Sequence, residues 1–122
     1  MVVRTDARPE IGYGHFFRCL ALMEAMVEAG ADCTLAGAAP DYMAAEAAAF
    51  GRVAMPGGMA DWEHAPFVDA VDRADLLVTD LYEIGADWQV RSPAPVLAIA
   101  DPPLPSLHCD LLLMPASFDA PA

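Results

Sequence analysis

The sequence predicts an α/β fold in which a parallel, Rossmann-like sheet carries helices on both faces. Short apolar segments alternate along the chain with longer segments of helical periodicity, which is the pattern of successive βα units. The composition agrees, because 57% of the residues are hydrophobic, as a sheet buried on both faces requires. At 122 residues, the chain is expected to form one domain that buries roughly two-thirds of its unfolded surface.

The first strand leads into a glycine-bearing loop. Val2 and Val3 indicate a short buried strand, and polar residues appear at its end, at positions 4–6. Gly12 and Gly14 then predict a loop, because glycine accepts positive φ and lets a ligand or another backbone approach closely. In open α/β sheets, ligands bind beyond the carboxyl ends of the strands, where this loop is expected to lie.

A long helix is predicted to begin at His15. Apolar residues recur from there at helical spacing, at Phe16, Leu20, Met23 and Val27. Gly30 is a suitable C-cap, and Cys19 fits a small buried hydrophobic position inside the helix.

The remaining elements continue the alternation. Strands are predicted at residues 33–36, 52–55, 76–79, 96–100 and 110–113. Helices are predicted at residues 41–50, at 61–74 and from about 86 onward. The inner face of the helix at 61–74 is expected to carry Trp62, Ala65, Val71 and either Val68 or Phe67.

The junction of loop and first helix is the leading candidate for a functional site. The free N–H groups and the positive dipole end of a helix favour an anion there and disfavour imidazolium, so His15 is expected to be neutral and able to accept a proton. Arg18, three residues on, projects from the same side and could contact a negative group. The spacing alone fits a helix-capping or core histidine equally well.

Charge and cysteine content narrow the classes of partner. The net charge is −12, and all six basic residues are arginines, so neither a nucleic acid nor an anionic membrane surface is expected as a partner. Three scattered cysteines, at positions 19, 33 and 109, favour neither a disulfide framework nor a zinc site. No secretory signal and no apolar run long enough for a membrane span is visible, so a cytoplasmic location is expected. No cofactor is expected, and no cluster of metal-ligating residues supports a metal requirement.

Three ordered segments resemble a known family. They are residues 4–7 with 11–15 and 18–20, residues 77–82 with Asp87-Trp88, and residues 96–101 with 108–113. Together they look like the N-terminal domain of the nucleotide-sugar hydrolases of pseudaminic acid biosynthesis, which release UDP from UDP-2,4-diacetamido-2,4,6-trideoxy-β-L-altropyranose. That family is related to a spore-coat polysaccharide protein.

The resemblance implies an architecture and a catalytic residue. It implies that residues 1–114 form the N-terminal half of a GT-B glycosyltransferase-like enzyme, that 115–122 form a tail or linker, and that a C-terminal UDP-binding domain is missing or separately encoded. The histidine of the family's Gly-x-Gly-His motif is proposed to activate water at the anomeric carbon, which makes His15 the general base. The chain alone is then expected to be incomplete.

Further site residues follow from the same resemblance. The expected substrate-binding residues are Arg4, Asp6, Gly12, Tyr13, Gly14, Arg18, Asp80, Tyr82 and Asp101. Arg4 and Asp6 are expected to line the same cleft as His15, with Tyr82 across from them. Asp80 is expected either to orient His15 or a loop, or to cap the short helix that begins near residue 86. Leu81 and Pro102 depart from the family pattern, in which a histidine and a second acidic residue usually stand there.

Two other functions therefore stay open. The chain could be a non-catalytic remnant or interaction module that keeps the fold without turnover. It could also be the acceptor-binding domain of a GT-B glycosyltransferase, which likewise has a glycine-rich loop and a histidine after its first strand.

Overall fold

The computed structural model describes residues 1–8, 13–38, 49–81 and 83–115. Its strands are β1 (Val2–Arg4), β2 (Thr34–Ala36), β3 (Gly51–Val53), β4 (Leu77–Thr79), β5 (Val96–Ile99) and β6 (Leu111–Leu113). Its helices are α1 (Gly14–Glu28), α2 (Ala65–Asp72) and the short α3 (Ala86–Gln89), and a 3-10 turn spans Asp61–Glu63. The predictions for residues 41–48, 116–122, Gly12 and Tyr82 lie outside the described residues.

The six strands form one parallel sheet in the order β3-β2-β1-β4-β5-β6. The chain therefore builds outward from β1 to β3 and then returns to place β4 on the other side of β1. Val3 pairs with Leu35 of β2 and with Val78 of β4. The order reverses between β1 and β4, and this switch point is where open α/β sheets leave a crevice for ligands. The predicted α/β, Rossmann-like fold is confirmed.

Helices cover both faces of the sheet. Side chains alternate along each strand, so Val3 and Val78 face α1, while Val2 and Leu77 face α2. On the α1 side the core includes Phe16, Cys19, Leu20 and Met23. On the α2 side it includes Phe67 and Val71, with Trp62 and Trp88 packed against them. Asp80, one step beyond β4, therefore comes out on the α1 face.

Helix α1 follows the predicted pattern except at its last turn. Gly30, two residues beyond the end of the helix, has a φ of +97°. The N–H groups of Gly30 and Ala31 donate to the carbonyls of Val27 and Met26, as in a Schellman motif. Val27, the last apolar residue of the predicted spacing, is 43% exposed. The last buried residue of α1 is Met23, so the final turn of the helix is more exposed than the turns before it.

The helix predicted at 61–74 is divided into two elements. His64 has extended backbone angles, with φ −90° and ψ 102°, and separates the 3-10 turn from α2. Pro66 lies in the first turn of α2, where its missing N–H costs no helical hydrogen bond. Phe67, not Val68, takes the buried position. Within the described residues, no helix combines the length and apolarity that a membrane span needs.

Candidate functional site

His15, Arg18 and Asp80 form a connected polar group at the switch point. His15 lies in the first turn of α1 and is buried, and Asp80 at the end of β4 is fully buried. His15 Nδ1 is 2.5 Å from Asp80 Oδ1. An unprotonated Nδ1 would face the carboxylate lone pair to lone pair, so the proton belongs on Nδ1 and is donated to Asp80. This tautomer leaves the basic lone pair on Nε2.

Arg18 holds Asp80 from the other side. Its Nε donates to Oδ2 and its Nη2 to Oδ1 of Asp80, each at 2.5 Å, which is the two-pronged geometry that guanidinium and carboxylate favour. Its Nη1 is 3.0 Å from Oδ2 of Asp101, at the end of β5. The hydrogen bonds to Asp80 are the largest of the causes that raise the pKa of Arg18, so the guanidinium stays charged. Arg18 therefore joins the carboxyl ends of two neighbouring strands.

The charges around His15 suit a residue that takes up a proton during a reaction. The N-terminal end of α1 and the Arg18 guanidinium, whose Nη2 is 3.1 Å from Nδ1, both oppose a positive ring. Asp80 stabilises a positive ring when one forms. An aspartate that fixes the tautomer and supports the imidazolium is the arrangement on which histidine general bases depend.

A cavity of about 230 Å³ adjoins this group. Its polar lining residues are His15, Thr79, Asp80, Gln89 and Asp101. The rest of its wall is apolar and is formed mainly by Leu81, Ile84, Ile99, Pro103, Leu104 and Leu107. None of the described residues that line it is an arginine, and the chain has no lysine, so the cavity does not favour an anionic group.

Arg4 and Asp6 do not line this cavity. Because side chains alternate along a strand, Arg4 leaves β1 on the α2 face, opposite to Asp80. Its Nε donates to Asp61 Oδ2 at 2.9 Å and its Nη1 to Asp6 Oδ1 at 2.7 Å. Burial opposes its charge, but the hydrogen bond to Asp61 and the charge of Asp6 outweigh burial and raise the pKa of Arg4.

These two residues instead line a second cavity of about 400 Å³. Leu81 and Ile84 line both cavities and so separate them. Arg8 is paired there with Asp6 and with Glu83. The expectation that Arg4, Asp6 and His15 share one cleft is therefore not met by the cavities of the described residues.

The other predicted site residues have the following places. Tyr13 is the N-cap residue of α1 and packs partly on the core, and Gly14 is the first residue of that helix. Arg18 contacts two carboxylates of its own chain, so the negative groups that it was expected to bind are Asp80 and Asp101. Asp80 does not cap α3, whose N-cap is Gly85.

Sequence reasoning did not identify Thr79 and Gln89 as site residues. Gln89 is buried, and its Nε2 lies 3.4 Å from Thr79 Oγ1 at the wall of the cavity. Thr79 immediately precedes Asp80 at a strand end, which is a signal that could have been used. Gln89 sits on a helix of four residues without a periodic pattern, and no local signal marks it.

No known family model matches this chain, and no curated protein aligns with it significantly. Within the described ranges, no three His, Cys, Asp or Glu side chains are grouped as metal ligands.

The packing of α1 against Asp80 predicts how the three cysteines react. Cys19 is fully buried, with its Sγ 3.5 Å from Asp80 Oδ2, and burial together with that carboxylate raises the pKa of its thiol. Burial likewise raises the pKa of the Cys33 thiol, whereas Cys109 is partly exposed. At pH 8 an alkylating reagent should modify Cys109 first, and Cys19 at least about tenfold more slowly, because the thiolate is the nucleophile.

Mass spectrometry of the time course measures this order. Cys109→Ser should remove the fast reaction, and addition of urea should make Cys19 and Cys33 as reactive as Cys109 was. Rapid modification of Cys19 in the folded chain would show that α1 does not pack on Asp80 as described.

Proposed function

We propose that this chain is the N-terminal domain of a nucleotide-sugar hydrolase with a GT-B-like architecture. In this proposal it acts on UDP-2,4-diacetamido-2,4,6-trideoxy-β-L-altropyranose in pseudaminic acid biosynthesis. The observation that carries the proposal is the buried contact of 2.5 Å between His15 Nδ1 and Asp80 Oδ1, at the switch point of the sheet and beside a cavity. The sequence resemblance assigns the same histidine through the Gly-x-Gly-His motif.

The proposed reaction is hydrolysis at the anomeric carbon. Nε2 of His15 removes a proton from water, the water oxygen forms a bond to the anomeric carbon, and the bond from that carbon to the UDP oxygen breaks. The products are the free sugar and UDP. His15 then releases its proton to solvent, which restores the starting tautomer. Asp80 supports the imidazolium that exists between these steps.

The local charge fits the transition state of such a reaction. Cleavage at an anomeric carbon passes through a state in which positive charge develops on the sugar ring. Asp80 and Asp101 carry two negative charges against the single positive charge of Arg18, so the rim of the cavity is net negative. A net negative rim stabilises positive charge on a neutral sugar and does not attract the pyrophosphate.

The pyrophosphate therefore needs another site. In the proposal it lies at the N-terminal end of α1, where the helix dipole favours an anion, and against a partner UDP-binding domain of the kind that the resembled family has. The expected partners are thus the UDP-sugar and such a domain, encoded in the same chain or separately.

Release of UDP tests the proposal directly. The chain is incubated with the diacetamido-altrose nucleotide, with and without an added C-terminal UDP-binding domain, and UDP is measured by chromatography. His15→Ala is expected to lower the rate by about 10²–10⁴-fold, as loss of a positioned general base does. His64→Ala is the matched control, because the His64 ring bonds the Ala54 carbonyl and lies outside the cavity lining, so this variant should keep full activity.

Each outcome decides between the candidate functions. UDP release that needs the added domain and is lost only in His15→Ala supports a hydrolase half. Equal release by His15→Ala and wild type overturns the role of His15 and leaves a core histidine. Absence of release from both, when the two domains demonstrably bind each other, favours a non-catalytic module, and transfer of the sugar to an acceptor alcohol in place of water favours a glycosyltransferase.

A further inference from the structure

Gln89 places an amide group at the wall of an otherwise largely apolar cavity. Gln89 is 1% exposed, so its amide group has to form its hydrogen bonds inside the protein. Its Oε1 accepts a hydrogen bond from the backbone N–H of His108 at 2.7 Å. That donor can face only an oxygen, so it fixes the orientation of the amide and turns Nε2 away from His108.

The Nε2 group has more donors than partners. It carries two protons, and among the described residues only Thr79 Oγ1, at 3.4 Å, accepts one of them. Both Thr79 and Gln89 line the cavity beside His15. A buried donor without a partner costs free energy, so a ligand that brings an acceptor to this wall is favoured.

The cavity limits what this ligand can be. Its volume of about 230 Å³ lies below the ~300–1,000 Å³ of pockets that hold whole drug-sized ligands, so it suits one substituent or a single small ring. Leu81, Ile84 and Leu107 contribute apolar surface, which favours a methyl or other alkyl group over a hydroxyl.

We propose that this cavity binds a small acylamino substituent and that Gln89 determines this specificity. The carbonyl oxygen of the substituent accepts the second Nε2 proton of Gln89, and its alkyl end packs against the apolar wall. The proposal deepens the proposed function and rests on it, because the diacetamido sugar named there carries such substituents. Gln89 then selects an acylated sugar, while His15 performs the chemistry.

Binding of two neutral sugars tests this without any turnover. N-acetylglucosamine and glucose differ by an acetamido group in place of a hydroxyl, and both are titrated against the full chain with NMR detection. We expect wild type to bind N-acetylglucosamine about two- to tenfold more tightly, as one neutral hydrogen bond predicts. In Gln89→Met, which keeps the length of the side chain and removes the donor, the two affinities should become equal within about twofold.

Val90→Met is the matched control, because Val90 is the exposed neighbour of Gln89 and lies outside the cavity lining. It should keep the preference for the acetylated sugar. A general loss of structure would weaken the binding of both sugars equally, so the ratio of the two affinities separates an effect on specificity from an effect on stability. Equal binding by wild type, or a preference that survives in Gln89→Met, overturns the proposal.

A measurement on wild type alone covers the case in which Gln89→Met does not fold. The side-chain amide signals of Gln89 should shift on addition of N-acetylglucosamine and stay in place on addition of glucose. Unchanged signals with both sugars would also overturn the proposal. If UDP release fails but these signals shift selectively, the hydrolase proposal falls and the acylamino site stands.

Discussion

Replacement of Asp80 with asparagine is expected to lower the free energy of unfolding by about 2–4 kcal/mol. It is also expected to lower the rate of UDP release by a factor of about a hundred or more. Asp80 is the fully buried anion that accepts from Arg18 through both oxygens and from His15 through one. Asparagine has the same shape, but it lacks the charge and directs an NH₂ group at one of these donors. Removal of one partner of a buried ion pair costs about 3–5 kcal/mol, and Arg18, whose side chain is 27% exposed, recovers part of this from solvent.

Asp101→Asn is the matched comparison. Asp101 pairs with the same guanidinium, but its side chain is 35% exposed, whereas that of Asp80 is 1% exposed. An exposed pair contributes about 0–1 kcal/mol, so this variant should stay close to wild type in stability. Urea unfolding of both variants measures the difference. Equal losses in the two would mean that the burial of Asp80 does not govern the strength of its pairing.

The activity of Asp80→Asn carries separate information. If Asp80 fixes the tautomer of His15, the variant loses rate even at temperatures where it is fully folded. If Asp80 serves only to hold β4 and α1 together, the rate per folded molecule should remain that of wild type. Circular dichroism at the assay temperature provides the folded fraction that this comparison needs.

Local signals predicted the element that carries His15. The valines of β1, the helical spacing from Phe16 onward and Gly30 as the end of α1 each depend on residues close in sequence, and each was confirmed. How far the buried face of α1 continues depends on what packs against it, so the exposure of Val27 could not be deduced from periodicity alone.

The partners of the charged residues could not be predicted in the same way. Asp80 lies 65 positions from His15, and the two meet only because β4 returns to the side of β1. The prediction that Arg18 lies on the same side of α1 as His15 is confirmed. The sequence does not show whether an arginine there pairs with carboxylates of its own chain or with an anionic ligand.

The separation of Arg4 from His15 was within reach of the sequence. Alternation along β1 sends Val3 to the α1 face, and Arg4 must then point to the opposite face. Because alternate side chains of β1 point to opposite faces of the sheet, alternation alone would have placed the Arg4 side chain on the face opposite to α1 and His15.

Gly37→Ala is expected to destabilise the fold by about 3 kcal/mol or more, because β1 and β2 meet there without room for a side chain. A Cβ at this position would lie 1.6 Å from the carbonyl oxygen of Thr5 and 2.8 Å from its carbonyl carbon. These are backbone atoms, so the clash cannot be relieved by rotation of a side chain, and the two strands would have to separate.

The substitution should disturb the geometry of the functional site as well as that of the sheet. Thr5 donates through Oγ1 to the Asp80 carbonyl at 3.1 Å, and the Asp80 N–H donates to the Arg4 carbonyl at 3.0 Å. Any displacement of Thr5 therefore moves the backbone that presents Asp80 to His15. We expect Gly37→Ala to lose activity beyond its loss of folded protein.

Gly57→Ala is the control for this prediction. A Cβ there would have nothing within 4 Å, so the substitution should change stability by no more than about 1 kcal/mol. Thermal and urea unfolding of the two variants, with UDP release measured per folded molecule, provide the test. A stable and active Gly37→Ala would mean that β1 and β2 are farther apart than described, and that Asp80 does not depend on their close approach for its position against His15.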